Sequence, residues 1–76
     1  MIIHVKTIGT IKSLEKGIRP CSLEIARNVS VSQVIEHLNI QTWEIGFVLV
    51  NGNRVPRESI LKDQDELTLV APLAGG

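Results

Sequence analysis

The 76-residue sequence predicts an α+β fold in which a mixed sheet of four to five strands packs on one helix. Three observations lead there. Apolar residues alternate with polar ones in an opening and a closing stretch, the period of half-buried strands. Between them one segment changes to the 3.6-residue period of an amphipathic helix. Ile, Val and Leu together supply 26 of the 76 residues. That apolar content suits a small domain, which buries only about 60% of its unfolded surface and needs a compact core.

The elements follow in order along the chain. In Ile2–Ile8, Ile3 and Val5 share one face and His4 and Lys6 the other, which reads as a strand. Gly9 and the stretch 12–20, with Gly17 and Pro20, read as a loop. Cys21–Ala26 alternates again, with Cys21, Leu23 and Ile25 in phase, so the chain opens with an antiparallel hairpin. Val31, Val34, Ile35 and Leu38 then mark one helical face. Ser30 is its expected N-cap, with Gln33 completing a capping box, Val29 stapling against Val34 and Asn39 as the stop. Phe47–Val50, continuously apolar but too short for a helix, is expected as a central strand. Asn51-Gly52 supplies the positive φ angles of a tight turn. A short strand at 54–55 must end by Pro56, which has no N–H for a ladder. Lys62–Asp65 reads as a polar turn, and Leu67 and Leu69 alternate with Glu66, Thr68 and Val70 in a last strand. One helix covers only one face of a sheet, so the fold has two layers, and this order of elements is the β-grasp arrangement. Residues 1–71 form that domain and residues 72–76 a flexible tail.

Charge and composition exclude several functions. Eight basic residues balance eight acidic ones, against the positive surplus of a phosphate-neutralising nucleic-acid module. The longest apolar run is four residues, far short of a membrane span, and the first residues lack a secretory signal, so the cytoplasm is expected. Cys21 is the only cysteine, so no internal disulfide is expected, and its phase makes it a small core residue rather than a reactive thiol. His4 and His37 lack a third ligand nearby and read as solvated, so neither a metal nor a bound cofactor is expected.

The chain closes with Gly75-Gly76 just after the last strand, a pair with a chance probability of about 0.5% at a given position. Pro72 ends strand pairing, and the four residues beyond it reach about 13 Å. Glycines without Cβ atoms can thread a narrow channel and present a carboxylate to another protein's active site. A frayed terminus is the plainer reading of the same residues.

Taken together, several segments resemble the ubiquitin-like sulfur carriers of ThiS and MoaD type, which serve thiamine and molybdopterin biosynthesis. They are the opening Met1-Ile2-Ile3-His4-Val5-Lys6-Thr7, Val50-Asn51-Gly52 with Val55-Pro56, Leu61-Lys62-Asp63 with Asp65-Glu66, and the ending Ala74-Gly75-Gly76. The resemblance implies a carrier rather than an enzyme, with no catalytic side chain of its own. An adenylating enzyme would use ATP to activate the Gly76 carboxylate, and a partner's persulfide would convert it to a thiocarboxylate. A synthase would then take the sulfur. Leu73, Ala74 and Gly75 would thread the partner's channel. One departure is Gln64, where relatives commonly carry glycine; a left-handed backbone there would cost about 1 kcal/mol. Val55-Pro56-Arg57 looks closer to the thiamine carriers, whereas Pro72 and the long connection from Gly9 to Pro20 look closer to the small subunit of a molybdopterin synthase. The lean is to the second.

Side chains on the strands supply a docking expectation. If Val48 and Val50 face the helix, Phe47 and Leu49 point to the uncovered face, joined by Val70 and bordered by Ile8. Arg54 and Arg57 read as solvated, Asp63, Asp65 and Glu66 as an acidic run beside the tail, and Trp43 as a cover for the helix end. Two other functions remain open: a protein modifier joined to lysines through Gly76, and a β-grasp binding module with an idle tail. Two aromatics and zero net charge make base stacking a poor basis for the last.

Overall fold

The computed structural model describes residues 1–9 and 21–72, with Cys21 described in its backbone only. Its elements are β1 (Ile2–Ile8), β2 (Cys21–Glu24), α1 (Val31–His37), a 3₁₀ turn (Thr42–Glu44), β3 (Phe47–Val50), β4 (Asn53–Val55) and β5 (Glu66–Val70). The five strands form one sheet in the order β2-β1-β5-β3-β4. β1 runs parallel to β5 and antiparallel to β2, while β3 is antiparallel to both β5 and β4. This is the β-grasp fold.

The core lies between α1 and one face of the sheet. Val31, Val34 and Ile35 from α1 meet Ile3 and Val5 of β1, Val48 of β3, and Leu67 and Leu69 of β5, all buried. Leu61 closes the cluster from the loop before β5. Phe47–Val50 is an interior strand, but the centre of the sheet belongs to β5. Leu67, Thr68 and Leu69 are consecutively buried there, with a strand on each side of β5. Thr68, on the face without a helix, is 4% exposed.

The helix begins as its sequence demands. Ser30 Oγ accepts from Gln33 N–H, and Gln33 Oε1 accepts from Ser30 N–H, so the capping box is complete. Two further first-turn N–H groups, on Val31 and Ser32, donate to the carbonyls of Ser59 and Arg57. Asn39, at φ 59°, ends it in the left-handed conformation that a short polar side chain tolerates. The 3₁₀ turn had no periodic signal because three residues are less than one period.

Asn51 and Gly52 both take positive φ, 52° and 83°, the mirror-image turn that joins twisted strands. Asn51 does more than bend the chain. Its Nδ2 donates to Asp65 Oδ1 and its Oδ1 accepts from Glu66 N–H, both at 3.0 Å, tying the β3–β4 turn to the start of β5. Asn51→Ala is therefore expected to cost about 2 kcal/mol, since alanine is strained at that φ. Asn51→Gly should cost less. Chemical denaturation midpoints of the two variants would check both the size and the order.

Gln64 sits at φ 68°, so the departure noted in the sequence does fall on a left-handed position. The turn around it is held by backbone and carboxylates. Gln64 N–H donates to the Ile2 carbonyl, and Ile2 N–H donates to Asp63 Oδ1 at 2.8 Å. That N–H is the main reason the exposed Asp63 carboxyl is held below its ordinary pKa.

Candidate functional site: an open sheet face at the root of the tail

The face of the sheet opposite α1 is organised in rows by strand register. Ile8, Val70 and Phe47 stand side by side on β1, β5 and β3. The next row reads Lys6, Thr68, Leu49 and Arg54 across four strands. Phe47, Leu49 and Val70 are half-buried and Ile8 is 52% exposed. The four apolar residues expected on the uncovered face are thus on it and adjacent. Arg54 lies with its guanidinium 4.7 Å from the centroid of the Phe47 ring, a cation–π contact. A shallow cleft of about 400 Å³ continues from Phe47 and Arg54 past Gly46 to Pro56 and Arg57.

The chain leaves the sheet at this edge of the face. Val70, the last residue of β5, accepts from Gly46 N–H at 2.7 Å, and Ala71 N–H donates to the Ile8 carbonyl at 2.9 Å. Gly9 lies alongside at φ 88°, where an added Cβ would come within 2.9 Å of the Ala71 Cβ. The close approach and the positive φ both call for glycine. Pro72 follows, exposed and outside any strand. The apolar row is therefore at the root of the tail. Leu73, Ala74, Gly75 and Gly76 lie outside the described residues, as does the loop expected over 12–20.

A family model for the ThiS family matches residues 10–76, most of the chain. The chain belongs to the ThiS family. No curated protein sequence matches it closely enough to add a relative. Several solved structures share the fold. Small archaeal modifier protein 1 of Haloferax volcanii superposes with a TM-score of 0.73 at 16% identity, over 95% of this chain and 98% of that one. A second Haloferax volcanii protein, solved in solution, gives a TM-score of 0.77 at 20% identity, over 100% of this chain and 87% of that one. A chain from the complex of subunits 1 and 2 of the molybdopterin-converting factor of Helicobacter pylori gives 0.66 at 20% identity, over the full length of both. At those identities the likeness is one of fold. The structural likenesses establish the fold, and the family match places the chain among the ThiS proteins.

Several side chains of this ThiS-family chain are placed differently from their sequence-based expectation. His4 is half-buried, with Nδ1 3.0 Å from Ser22 Oγ and Nε2 3.0 Å from Gln64 Oε1, so it bridges β2 and the Gln64 turn rather than being merely solvated. Arg57 is also structural: its guanidinium donates to the carbonyls of Thr42 and Ile45 and holds the 3₁₀ turn against the loop after β4. The acidic run is not beside the root of the tail. Asp63, Asp65 and Glu66 lie at the start of β5, which places them about 13 Å of strand away from Val70. Trp43 does not cover the helix end; it is 68% exposed on the 3₁₀ turn. His37 is exposed, and the side chain of Cys21 lies outside the description. Among the described residues no three His, Cys, Asp or Glu side chains stand close enough to hold a metal ion. No helix among them is long and apolar enough to cross a membrane.

Proposed function

We propose that this chain is a sulfur carrier whose Gly76 carboxylate becomes a thiocarboxylate, with the open sheet face as the surface its partners grip. The observation that carries the reading is the position of the tail root. Ala71 and Pro72 leave the sheet beside Ile8, Val70 and Phe47. A protein seated on that row therefore has the four residues 73–76, with a reach of about 13 Å, next to its own active site.

The chemistry follows from the poor reactivity of an ionised carboxylate. A Gly76 carboxylate oxygen attacks the α-phosphorus of ATP, pyrophosphate leaves, and an acyl-adenylate forms on the partner enzyme. The terminal sulfur of a partner's persulfide then attacks the carbonyl and AMP leaves. A thiol attacks the cysteine sulfur of the resulting acyl disulfide, forming a disulfide and expelling the thiocarboxylate, which is released for a synthase. Leu73, Ala74 and Gly75 thread the channel. The carrier holds no cofactor of its own and contributes no catalytic side chain. Its fold likeness to a chain of the molybdopterin-converting factor complex favours service as the small subunit of a molybdopterin synthase over the thiamine pathway.

Incubation with ATP, a sulfur source and the adenylating enzyme of the same host tests this by intact mass. The expected result is a gain equal to exchange of one oxygen for sulfur, located at Gly76. No gain with an enzyme shown to be active would defeat the carrier reading. A modifier role shares the chemistry up to the adenylate and is favoured by the likeness to small archaeal modifier protein 1. Target lysines bearing a branch that ends in Ala74-Gly75-Gly76 after proteolysis would identify it.

A further inference from the structure

We propose that Lys6 and Arg54 form a pair of orienting cations on the open face, and that the partner it takes is a protein whose apolar insert is flanked on two sides by carboxylates. The proposal rests on the reading of this face as a docking surface and adds the chemistry of what docks.

Register places the two cations at opposite ends of one row, with Thr68 and Leu49 between them. Three strand spacings separate them, about 14 Å. Among the described residues neither is paired with a carboxylate, and Arg54 stacks on the face of the Phe47 ring. An Arg already stacked on an aromatic loses little freedom when it meets a partner, and Arg and aromatic residues are favoured at the centres of interfaces. Between them no charged side chain intervenes: Thr68 is buried and Leu49 half-buried.

Charge changes sign along the strands. Ile8, Val70 and Phe47 form the apolar edge, Lys6 and Arg54 the next row, and exposed Glu66 and Glu24 lie beyond them on the same face. A face that runs apolar, basic, acidic favours one direction of a complementary surface, since reversal would press the partner's basic end onto the apolar row and its apolar end onto Glu66 and Glu24. That direction keeps the partner's apolar contacts at the edge where Pro72 departs. The acidic far end also argues against a nucleic-acid strand, whose phosphates would meet Glu66 and Glu24 as well as the cations.

The test uses the full-length chain and the adenylating enzyme of the same host, with initial rates of ATP–pyrophosphate exchange followed against carrier concentration. Lys6→Glu with Arg54→Glu is expected to raise the KM for the carrier at least about tenfold and to flatten its salt dependence. Arg54→Met, which keeps an apolar stem on the Phe47 ring, should raise KM in the same direction while leaving the unfolding midpoint near that of the parent. An unchanged KM and salt dependence in the charge variants, with Phe47→Asp still raising KM, overturns the cation pair and leaves the docking face standing. An unchanged KM in Phe47→Asp as well overturns the docking face itself. No exchange with the parent chain and an active enzyme overturns the carrier reading beneath both.

Discussion

Leu67→Ala is expected to lower the unfolding free energy by about 2–5 kcal/mol, a larger loss than any surface change in this chain. Leu67 is completely buried in the central strand, with Val5 beside it on β1 and Val50 on β3. Truncation removes apolar area from water and leaves a cavity that the neighbouring strands cannot close, because their spacing is fixed by the ladder hydrogen bonds. The scale of the whole makes this severe. A domain of this length has roughly 4–11 kcal/mol of stability in total. Guanidinium denaturation should show a lower midpoint with an unchanged slope, the signature of lost stability without a change in surface exposed. Leu67→Met, which nearly conserves volume, should cost under about 1.5 kcal/mol. A loss below about 1 kcal/mol for the alanine variant would mean that the core is not centred on β5.

The second large effect is on function alone. One alanine added after Gly76 is expected to abolish the sulfur-for-oxygen mass gain while leaving the unfolding midpoint unchanged. The carboxylate is the reacting group on the carrier reading, and the addition moves it by roughly 3.5 Å and puts a Cβ where a glycine was. A misplacement of about 1 Å at a reacting centre costs on the order of 100-fold. Stability is expected to be unchanged because β5, the last element, ends at Val70, with six residues between it and the addition. Intact mass before and after the reaction checks both the absence of the gain and that no protease has removed the added residue. Full conversion of the extended chain would defeat the carrier reading.

What the sequence made legible was local. Ser30 and Gln33 announced the helix start, and Asn51-Gly52 the hairpin turn, because caps and tight turns are decided by residues within four positions of one another. The open face was legible for the same reason: period two alone assigns Phe47, Leu49, Val70 and Ile8 to one side once Val48 is inside. The errors share a different cause. His4 meets Gln64, and Arg57 meets Thr42 and Ile45, only because the topology returns distant segments to the same place. The acidic run is near the tail in sequence, yet the extended β5 separates it from the tail root at Val70. Trp43 was expected to cover the helix end because large aromatics are usually buried, but the 3₁₀ turn carries it outward and buries Glu44 instead. Lys6 and Arg54 carried no sequence signal as a pair; only the register between β1, β5, β3 and β4 puts them in one row.

The parallel pairing of the first strand with the last also sets a timetable for synthesis. His4 to Ile8 lie against Glu66 to Val70, so the first strand to leave the ribosome waits for the last one. At about 5–20 residues per second, the roughly sixty residues between them take about 3–12 seconds to make. Only β2 is on hand to pair with β1 in that interval, and the apolar face of that hairpin has nothing to sit on until the helix arrives. The β3–β4 hairpin, by contrast, can close as soon as its turn is made. β5 is thus the strand that joins the β1–β2 pair to the β3–β4 pair, and the five-stranded sheet cannot be complete before it is made.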